Sequence, residues 1–450
     1  MIFKNISKTK FSLALISLLI TFFVWQQGLR DSLNRPSVSF DISQKEQEIS
    51  VLAVQSIPTN LKKFFITNDA VEQINNALSE VPFDELTERN KLIKIISSES
   101  INDPNITKEF KNKNYKLLID EIEKKSINNS YEPNSDTFDL FKMDRFLYHL
   151  LSIKFDFDDS SLITKSYSNK MFLKILAIRL IPLITILLGS ALALKTLWTA
   201  ISLKRFFWKE IKPLELELID MVLLIAGGFV VLGEVVSPLF SISLVELFSK
   251  NISTELSQSL KIFFGYLFMA IPPLLIVYYQ IKSVNGEFDF RKDYFQFNFL
   301  SIKDAFFQGM RGWLTIVPFV LLISVIMNSL VDNQNGSNPL LEIVLNNKNF
   351  LPFIFLFVTT TLLAPLFEEI IFRGVLLPTL SRDFGIILGI VFSAFIFALA
   401  HLSLGEMPPL FVLGIGLGIT RMASGSLLSS VIMHSLWNGL TFFNLFLLRT

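Results

Sequence analysis

Long apolar runs separated by short polar connections occupy most of this chain. The first run extends from Phe11 to Trp25, directly after a short basic N-terminus. From about residue 174 onward the runs repeat at roughly 20 residues, the length that an α-helix needs to cross a bilayer. The predicted later spans are 174–194, 218–240, 260–280, 312–330, 350–375, 385–404, 409–427 and 428–448. Repeated runs of this length favour a helical bundle over a membrane β-barrel, whose strands alternate in shorter segments.

The segment from 30 to 169 has a different character. It is rich in Asn, Asp, Glu, Lys and Ser, and it contains no run long enough to span a membrane. Lys113–Ile127 and Asp139–Ile153 place apolar residues at helical spacing, so both are predicted helices. A segment of this size suffices for one small helical domain. We interpret its single histidine, His149, as a packing or surface residue.

These patterns predict an all-α fold: a polytopic membrane bundle of about eight or nine spans, with a mostly helical soluble domain inserted after the first. The predicted divisions are a membrane anchor at 1–29, an extracytoplasmic domain at 30–169, membrane helices at 170–345 and a last group of helices at 346–450. No small-x-small cleavage site follows Trp25, which favours an uncleaved anchor over a signal peptide.

The amino-acid composition of the chain excludes several kinds of partner and site. The chain is 51% hydrophobic and only 18% charged, against about 25% charged in soluble domains, which indicates a lipid environment. Its net charge of +1 argues against a nucleic-acid partner. The absence of cysteine excludes disulfides, thiolate metal sites and a cysteine nucleophile. Histidine chemistry must use His149, His401 or His434.

Basic residues in the short connections predict the orientation. Lys4, Lys8 and Lys10 place the N-terminus in the cytoplasm, which puts residues 30–169 outside. The connections after the second and fourth spans carry five basic residues each, and we expect both inside. Lys174 and Arg179 lie at the outer end of the second span, against this pattern, and we expect them to snorkel.

Charged residues within apolar runs cost several kcal/mol and therefore indicate function. Glu368 and Glu369 lie in a run of Phe, Ile and Leu, with Arg373 five residues after Glu368. Glu369 and Arg373 share a helix face and can pair, whereas Glu368 points elsewhere. Pro365 favours a helix start or break just before the two acids. The alternative is a salt bridge at the membrane edge with Glu368 solvated.

Two later runs each carry a histidine paired at helical spacing. Phe397 and His401 share one face near the end of their run, and His434 and Asn438 share a face within the last run. Each pair has a structural alternative: an interfacial histidine in the first case, and polar contacts that join two helices in the second.

The three motifs together, in this order on three successive runs, resemble the CPBP family of CAAX proteases and bacteriocin-processing intramembrane endopeptidases, which includes type II CAAX prenyl proteases. The family pattern of EExxxR, FxxxH and Hxxx(N/D) is matched by Glu368-Glu369…Arg373, Phe397…His401 and His434…Asn438. The resemblance covers about residues 350–448, and it makes 346–450 a predicted CPBP-like protease core.

Amide hydrolysis needs an activated water and stabilisation of an oxyanion. Glu368 and His401 can polarise a water, and His434 and Asn438 can offer N–H donors. The resemblance implies the same catalytic roles for these four residues, with Glu369, Arg373 and Phe397 in support. The competing interpretation is a catalytic zinc or other divalent metal held by Glu368 and two histidines. The sequence leaves both open, with the metal-free glutamate mechanism slightly favoured.

The expected partners are a membrane-associated peptide or protein substrate and the lipid bilayer, in a multi-pass protein of a bacterial plasma membrane. Two other functions stay open: a non-catalytic scaffold or regulator that keeps the protease shell, and an ion-coupled transporter that uses acids such as Glu368 and Glu234. Straight spans would place Glu368 and His401 at different depths. We therefore expect the helix after Glu368 to extend past the membrane at Leu376–Arg382, or to tilt.

Overall fold

The computed structural model consists of helices joined by turns, with no strand among the residues that it describes. Those residues are 7–33, 38–62, 70–97, 109–127, 131, 134–203, 208–209, 211, 216–248, 252–284, 301–330, 343–345 and 349–449. The chain divides into two compact units. One comprises Met1–Ser39 and Pro182–Arg449, and the other comprises Phe40–Ile181.

The α-helices are labelled in chain order. They are α1 (Lys8–Leu33), α2 (Ser39–Ala53), α3 (Ala70–Ser79), α4 (Glu88–Ser97), α5 (Lys113–Ile127), α6 (Ser135–Asp139), α7 (Arg145–Phe155), α8 (Lys165–Leu203), α9 (Leu218–Leu247), α10 (Thr254–Val284), α11 (Ile302–Leu330), α12 (Phe350–Phe384), α13 (Ile386–Leu399), α14 (Met407–Ser424) and α15 (Leu427–Leu448).

The unit of residues 40–181 is a small helical domain with a buried apolar core. The predicted helix Lys113–Ile127 is α5. The second predicted helix begins later, at Arg145, because the Asp144 side chain accepts a hydrogen bond from the Leu147 amide and caps α7. Arg89 joins α4 to its neighbours by pairing with Glu48 at 2.7 Å and with Asp144 at 2.6 Å.

His149 lies in this unit and pairs with an acid. Its Nδ1 is 2.6 Å from Oδ2 of Asp159, and both side chains are partly exposed. Ser152 Oγ also donates to Asp159, at 3.1 Å. The histidine therefore joins α7 to the chain that follows it.

The other unit is a bundle of membrane-length helices. Eight helices in the described part of the chain are long and apolar enough to cross a membrane, and α13 is a ninth, shorter apolar helix of 14 residues. The predicted polytopic bundle is thus confirmed. Several helices exceed their predicted spans: α8 has 39 residues and α12 has 35. Hydropathy marks the apolar part of a helix, whereas the polar residues that flank it continue the same helix.

Wide helical turns interrupt α9 and α12. The residues Leu223–Val236, Thr359–Leu363 and Ile370–Leu376 form π-helix. Pro238, Pro365 and Pro378 each follow one of these segments by two residues. A proline in a helix lacks an N–H and clashes with the carbonyl four residues back, and a locally wider turn accommodates it. The wider turns thus coincide with prolines in α9 and α12, although Pro182, Pro272, Pro273 and Pro318 are held within regular α-helix.

A tight turn at Gly385 reverses the chain between α12 and α13. Gly385 has φ +87°, a conformation that side chains disfavour. Gly389 packs so closely on Ser381 that an added Cβ would overlap it. The helix that carries Glu368 therefore continues to Phe384, and the predicted extension over Leu376–Arg382 is helical. His401 follows the end of α13, which is only about 21 Å long.

The basic residues that predict the orientation are only partly described. Lys4, Lys204, Arg205, Lys212, Lys250, Arg291, Lys292 and Lys348 lie outside the described residues. Among the described ones, Lys10 on α1 forms an ion pair of 2.8 Å with Asp220 at the start of α9. The orientation and the predicted domain boundaries stay predictions.

Candidate active site

Glu369 and Arg373 form a buried ion pair on α12. Arg373 Nη1 donates to Glu369 Oε1 at 2.8 Å, and both side chains have 0% exposure. The spacing of four residues brings them to one helix face. Arg373 Nη2 also donates to the carbonyl of Gly414 on α14, at 3.2 Å. Because Arg373 neutralises it, Glu369 is a fixed anionic acceptor within the bundle.

Glu368 occupies a different position from its neighbour. The residue is 7% exposed, and its Oε2 atom is buried without a hydrogen-bond partner. The nearest basic group given by the structure is His434, whose Nε2 lies 3.9 Å from that oxygen. This distance exceeds a direct hydrogen bond. One carboxylate of the adjacent pair is therefore committed to an arginine, and the other remains available.

His434 bridges the two carboxylates. It lies on α15, is 2% exposed, and its Nδ1 is 3.0 Å from Glu369 Oε1. Since a carboxylate paired with arginine accepts hydrogen bonds, Nδ1 is the protonated nitrogen of this contact. The opposite nitrogen, Nε2, faces Glu368. The ion pair on α12 thus fixes which way the His434 ring is turned.

The Phe397 ring packs against both imidazoles. Ring centroids are 4.7 Å apart for Phe397 and His401, and 5.7 Å apart for Phe397 and His434, both in edge-to-face geometry. Arg373 lies over the same ring, with its Cζ 4.2 Å from the centroid. His401 Nδ1 lies 2.7 Å from the Phe397 carbonyl oxygen. A carbonyl only accepts, so Nδ1 carries the proton and Nε2 of a neutral His401 has the free lone pair.

Asn438 lies one turn after His434 but has a different neighbour. Its Nδ2 donates to the carbonyl of Thr360 in the first π segment of α12, at 2.9 Å. The amide keeps a second N–H for another acceptor. The structure therefore brings Glu369, Arg373, Phe397 and His434 together. His401 joins this group through Phe397, and Asn438 is anchored on the N-terminal side of the two acids.

A metal site needs three or more ligands around one point. No such group of His, Asp or Glu side chains is placed to hold an ion in the part of the chain that the structure describes. Glu369 takes Nδ1 of His434, so only Nε2 of this ring could serve as a metal ligand. The metal alternative stays a prediction, and we derive no step through a metal.

Two polar residues outside the motifs also join the site helices. Ser393 on α13 donates to the carbonyl of Phe372 at 3.1 Å. Arg421 on α14 is completely buried and donates to the carbonyl of Arg373 at 3.4 Å. The motif analysis missed both. An arginine within a predicted span was a usable signal for Arg421, whereas a serine in an apolar run gives none.

The helices define a multi-pass integral membrane protein, and the described part of its bundle holds this cluster of buried ionisable side chains. Residues 350–440 match the family model described as type II CAAX prenyl endopeptidase Rce1-like. The resemblance seen in the motifs is confirmed, since this part of the chain is similar to the CAAX-protease type of intramembrane endopeptidase family. Residues 39–173 match a domain of unknown function (DUF8675). No curated protein and no solved structure matches the chain.

Proposed function

We propose that this protein is an intramembrane endopeptidase that hydrolyses peptide bonds of membrane-associated proteins or peptides, with Glu368 as general base. The observation that carries the proposal is the unequal use of the two acids. Glu369 Oε1 is paired with Arg373 at 2.8 Å, whereas Glu368 forms no ion pair with an arginine or lysine among the described residues. The Oε2 atom of each acid is buried without a hydrogen-bond partner. A buried carboxylate that is not paired with an arginine is suited to remove a proton from water.

In the proposed reaction a water is held by Glu368 and the free Nε2 of His401. Glu368 takes its proton as the water oxygen attacks the scissile carbonyl carbon. The tetrahedral oxyanion then accepts N–H donors from Asn438 and from Nε2 of His434. Because His434 Nδ1 already donates to Glu369, a proton on Nε2 requires the imidazolium form. The C–N bond breaks as Glu368 returns the proton to the leaving amine.

Glu369, Arg373 and Phe397 support these groups in the proposal. Glu369 and Arg373 set the His434 ring orientation, and Phe397 separates the two imidazoles while contacting both.

We also propose the orientation that the basic residues predict, with a cytoplasmic N-terminus and residues 30–169 outside a bacterial plasma membrane. The substrate then meets the site within the bilayer. The domain at 30–169 is available to contact partners on the outer side.

The test compares purified protein carrying Glu368→Gln with wild type on a library of membrane peptides and on the termini of membrane proteins from matched cells. The matched control is Glu255→Gln, in the first turn of α10. We expect cleavage in the wild type and control and none in Glu368→Gln, with equal thermal unfolding. Equal cleavage by Glu368→Gln would contradict the role of this residue. Complementation of a deletion strain by both Glu368→Ala and His401→Ala would favour the scaffold function.

A further inference from the structure

Arg421 is a buried arginine in the last turn of α14, outside the three motifs. Its Nη1 donates to the carbonyl of Gly425 at 2.5 Å. Gly425 has φ +74° and ends the helix in the left-handed conformation, so this bond caps a free carbonyl. Its Nε donates to the carbonyl of Arg373 at 3.4 Å. The guanidinium therefore joins the end of α14 to the helix that carries the two acids.

The Arg373 carbonyl is available because of Pro378. In the π segment Ile370–Leu376 the Leu377 amide donates to the carbonyl of Phe372, five residues earlier. The next amide in that pattern would belong to residue 378 and would reach the Arg373 carbonyl, but proline has no N–H. A buried carbonyl left unpaired costs about 1–3 kcal/mol. Arg421 supplies the donor that the helix lacks.

The two arginines form a reciprocal contact between α12 and α14. Arg373 Nη2 donates to the carbonyl of Gly414, and Arg421 Nε donates to the carbonyl of Arg373. Gly414 and Arg421 are seven residues apart, or about 10 Å along the helix. The residue that neutralises Glu369 is thus attached to α14 through both its side chain and its backbone.

We propose that Arg421 is a positioning residue, which fixes the Arg373 backbone so that the Glu369–Arg373 pair holds Nδ1 of His434. This inference rests on the proposed function for its kinetic consequence, since the hydrogen bonds named for Arg421 go to backbone carbonyls rather than to the proposed catalytic side chains. The role needs an arginine. Its planar fork directs two N–H groups to two carbonyls, whereas a lysine ammonium of the same charge is a single point donor.

The first experiment is independent of activity. Hydrogen exchange of the full-length protein in detergent, followed by mass spectrometry, reports on the amides of residues 370–380. We expect faster exchange there in Arg421→Lys and Arg421→Gln than in wild type. The matched control is Ser424→Ala, which removes a hydrogen bond to the Ser426 carbonyl at the same helix end. Its exchange over 370–380 should equal that of wild type. Unchanged exchange in both Arg421 variants would overturn the proposal.

The second experiment separates positioning from stability. Arg421→Lys should lower kcat by about 10- to 100-fold, as expected for small displacements of catalytic groups, with KM within twofold. Ser424→Ala, assayed well below its own unfolding temperature, should keep wild-type kcat. Equal kcat losses in these two variants would assign Arg421 a purely structural role. If the wild type cleaves nothing, the proposed function fails, and the exchange experiment still decides whether Arg421 holds residues 370–380.

A third variant tests whether Pro378 is the reason that the Arg373 carbonyl lacks a donor within its own helix. Pro378→Ala gives residue 378 an N–H that can pair with the Arg373 carbonyl within the helix. The kcat loss caused by Arg421→Lys should then be smaller in the Pro378→Ala background than in wild type, because part of the missing donor has been restored. Additive losses would show that Arg421 acts elsewhere than on this carbonyl.

Discussion

Asn438 donates a hydrogen bond of 2.9 Å to the carbonyl oxygen of Thr360. The reason lies in the first π segment, where the Ala364 amide donates to the Thr359 carbonyl. The following residue is Pro365, which has no amide hydrogen to offer the Thr360 carbonyl. Asn438 supplies that donor, as Arg421 does for Arg373. The two prolines on either side of Glu368 therefore each create an attachment point for a polar side chain of another helix.

Replacement of Asn438 by alanine should impair both stability and turnover. It leaves the Thr360 carbonyl unpaired, which costs about 1–3 kcal/mol, and it removes the second amide N–H that we assign to the oxyanion. Loss of an oxyanion donor typically lowers kcat by about 100- to 1,000-fold. Thermal unfolding in detergent and steady-state cleavage of one peptide, measured on the same preparation, give the two effects separately.

The matched control for this variant is Thr441→Ala, one turn further along α15. Thr441 is exposed and bonds only to its own helix, at the Trp437 carbonyl. Its kcat and unfolding temperature should stay close to wild type. A loss of stability in Asn438→Ala with unchanged kcat per folded molecule would show that the residue only joins α15 to α12.

The Glu369–Arg373 pair should show strong energetic coupling. Both side chains have 0% exposure, so removal of one partner leaves an isolated buried charge, at a cost of about 3–5 kcal/mol. We expect Glu369→Gln and Arg373→Met each to lower the free energy of unfolding by about 3–5 kcal/mol. The double variant should lose much less than the sum of both. Chemical unfolding of the four proteins in one detergent measures the cycle, and additive losses would contradict a direct pair.

Much of this site follows from spacing along regular helices. The separation of four residues placed Glu369 beside Arg373 and turned Glu368 away, and both features are present in the structure. The same spacing put His434 and Asn438 on one face, yet their polar partners differ, being Glu369 and Thr360. Residue spacing predicts the direction in which a side chain leaves its helix, but it does not predict which residue that side chain meets. The partner depends on how far each neighbouring helix is shifted along its own axis.

Features that depend on helix irregularity were harder to predict. Straight spans separated Glu368 from His401 in depth, because the shortness of α13 and the turn at Gly385 do not appear in hydropathy. The partners of Arg421 are backbone carbonyls, and a carbonyl has no sequence signature. Only the prolines indicate where helical donors are missing, and they do not identify the side chain that replaces them.

Gly414 lies where α14 packs tightly against α13, so Gly414→Ala should displace both helices. A Cβ there would lie 2.9 Å from the Cβ and 3.0 Å from the Cα of Ala394. Because backbone atoms must move, we expect the free energy of unfolding to fall by about 1–3 kcal/mol. The hydrogen bond from Arg373 to the carbonyl of residue 414 should also lengthen, which lowers kcat. The control is Gly439→Ala, whose Cβ would meet only Thr361, at 4.0 Å. It should be neutral or slightly stabilising through helix propensity, and equal effects of the two variants would refute the close approach.

The unit of residues 40–181 should lose stability in acid through Asp144. Burial alone would raise the pKa of Asp144, but the hydrogen bonds and charge of Arg89 outweigh it and hold the pKa below its usual range. The group stabilises the fold fully above the ordinary aspartate pKa of about 3.9, and this contribution disappears as the pH falls through the lower folded-state value.

Hydrogen exchange of α7 in the full-length protein, corrected for the intrinsic pH dependence of exchange, measures this effect. Opening of α7 should become easier as the pH falls below the ordinary aspartate pKa of about 3.9. Asp144→Asn keeps an N-cap acceptor but loses the charge opposite Arg89, so its α7 should open more readily than wild type at pH 7, and this difference should narrow at an acidic pH well below that value. If the variant and wild type differed by the same amount at both pH values, the ion pair with Arg89 would not be the source of the acid sensitivity.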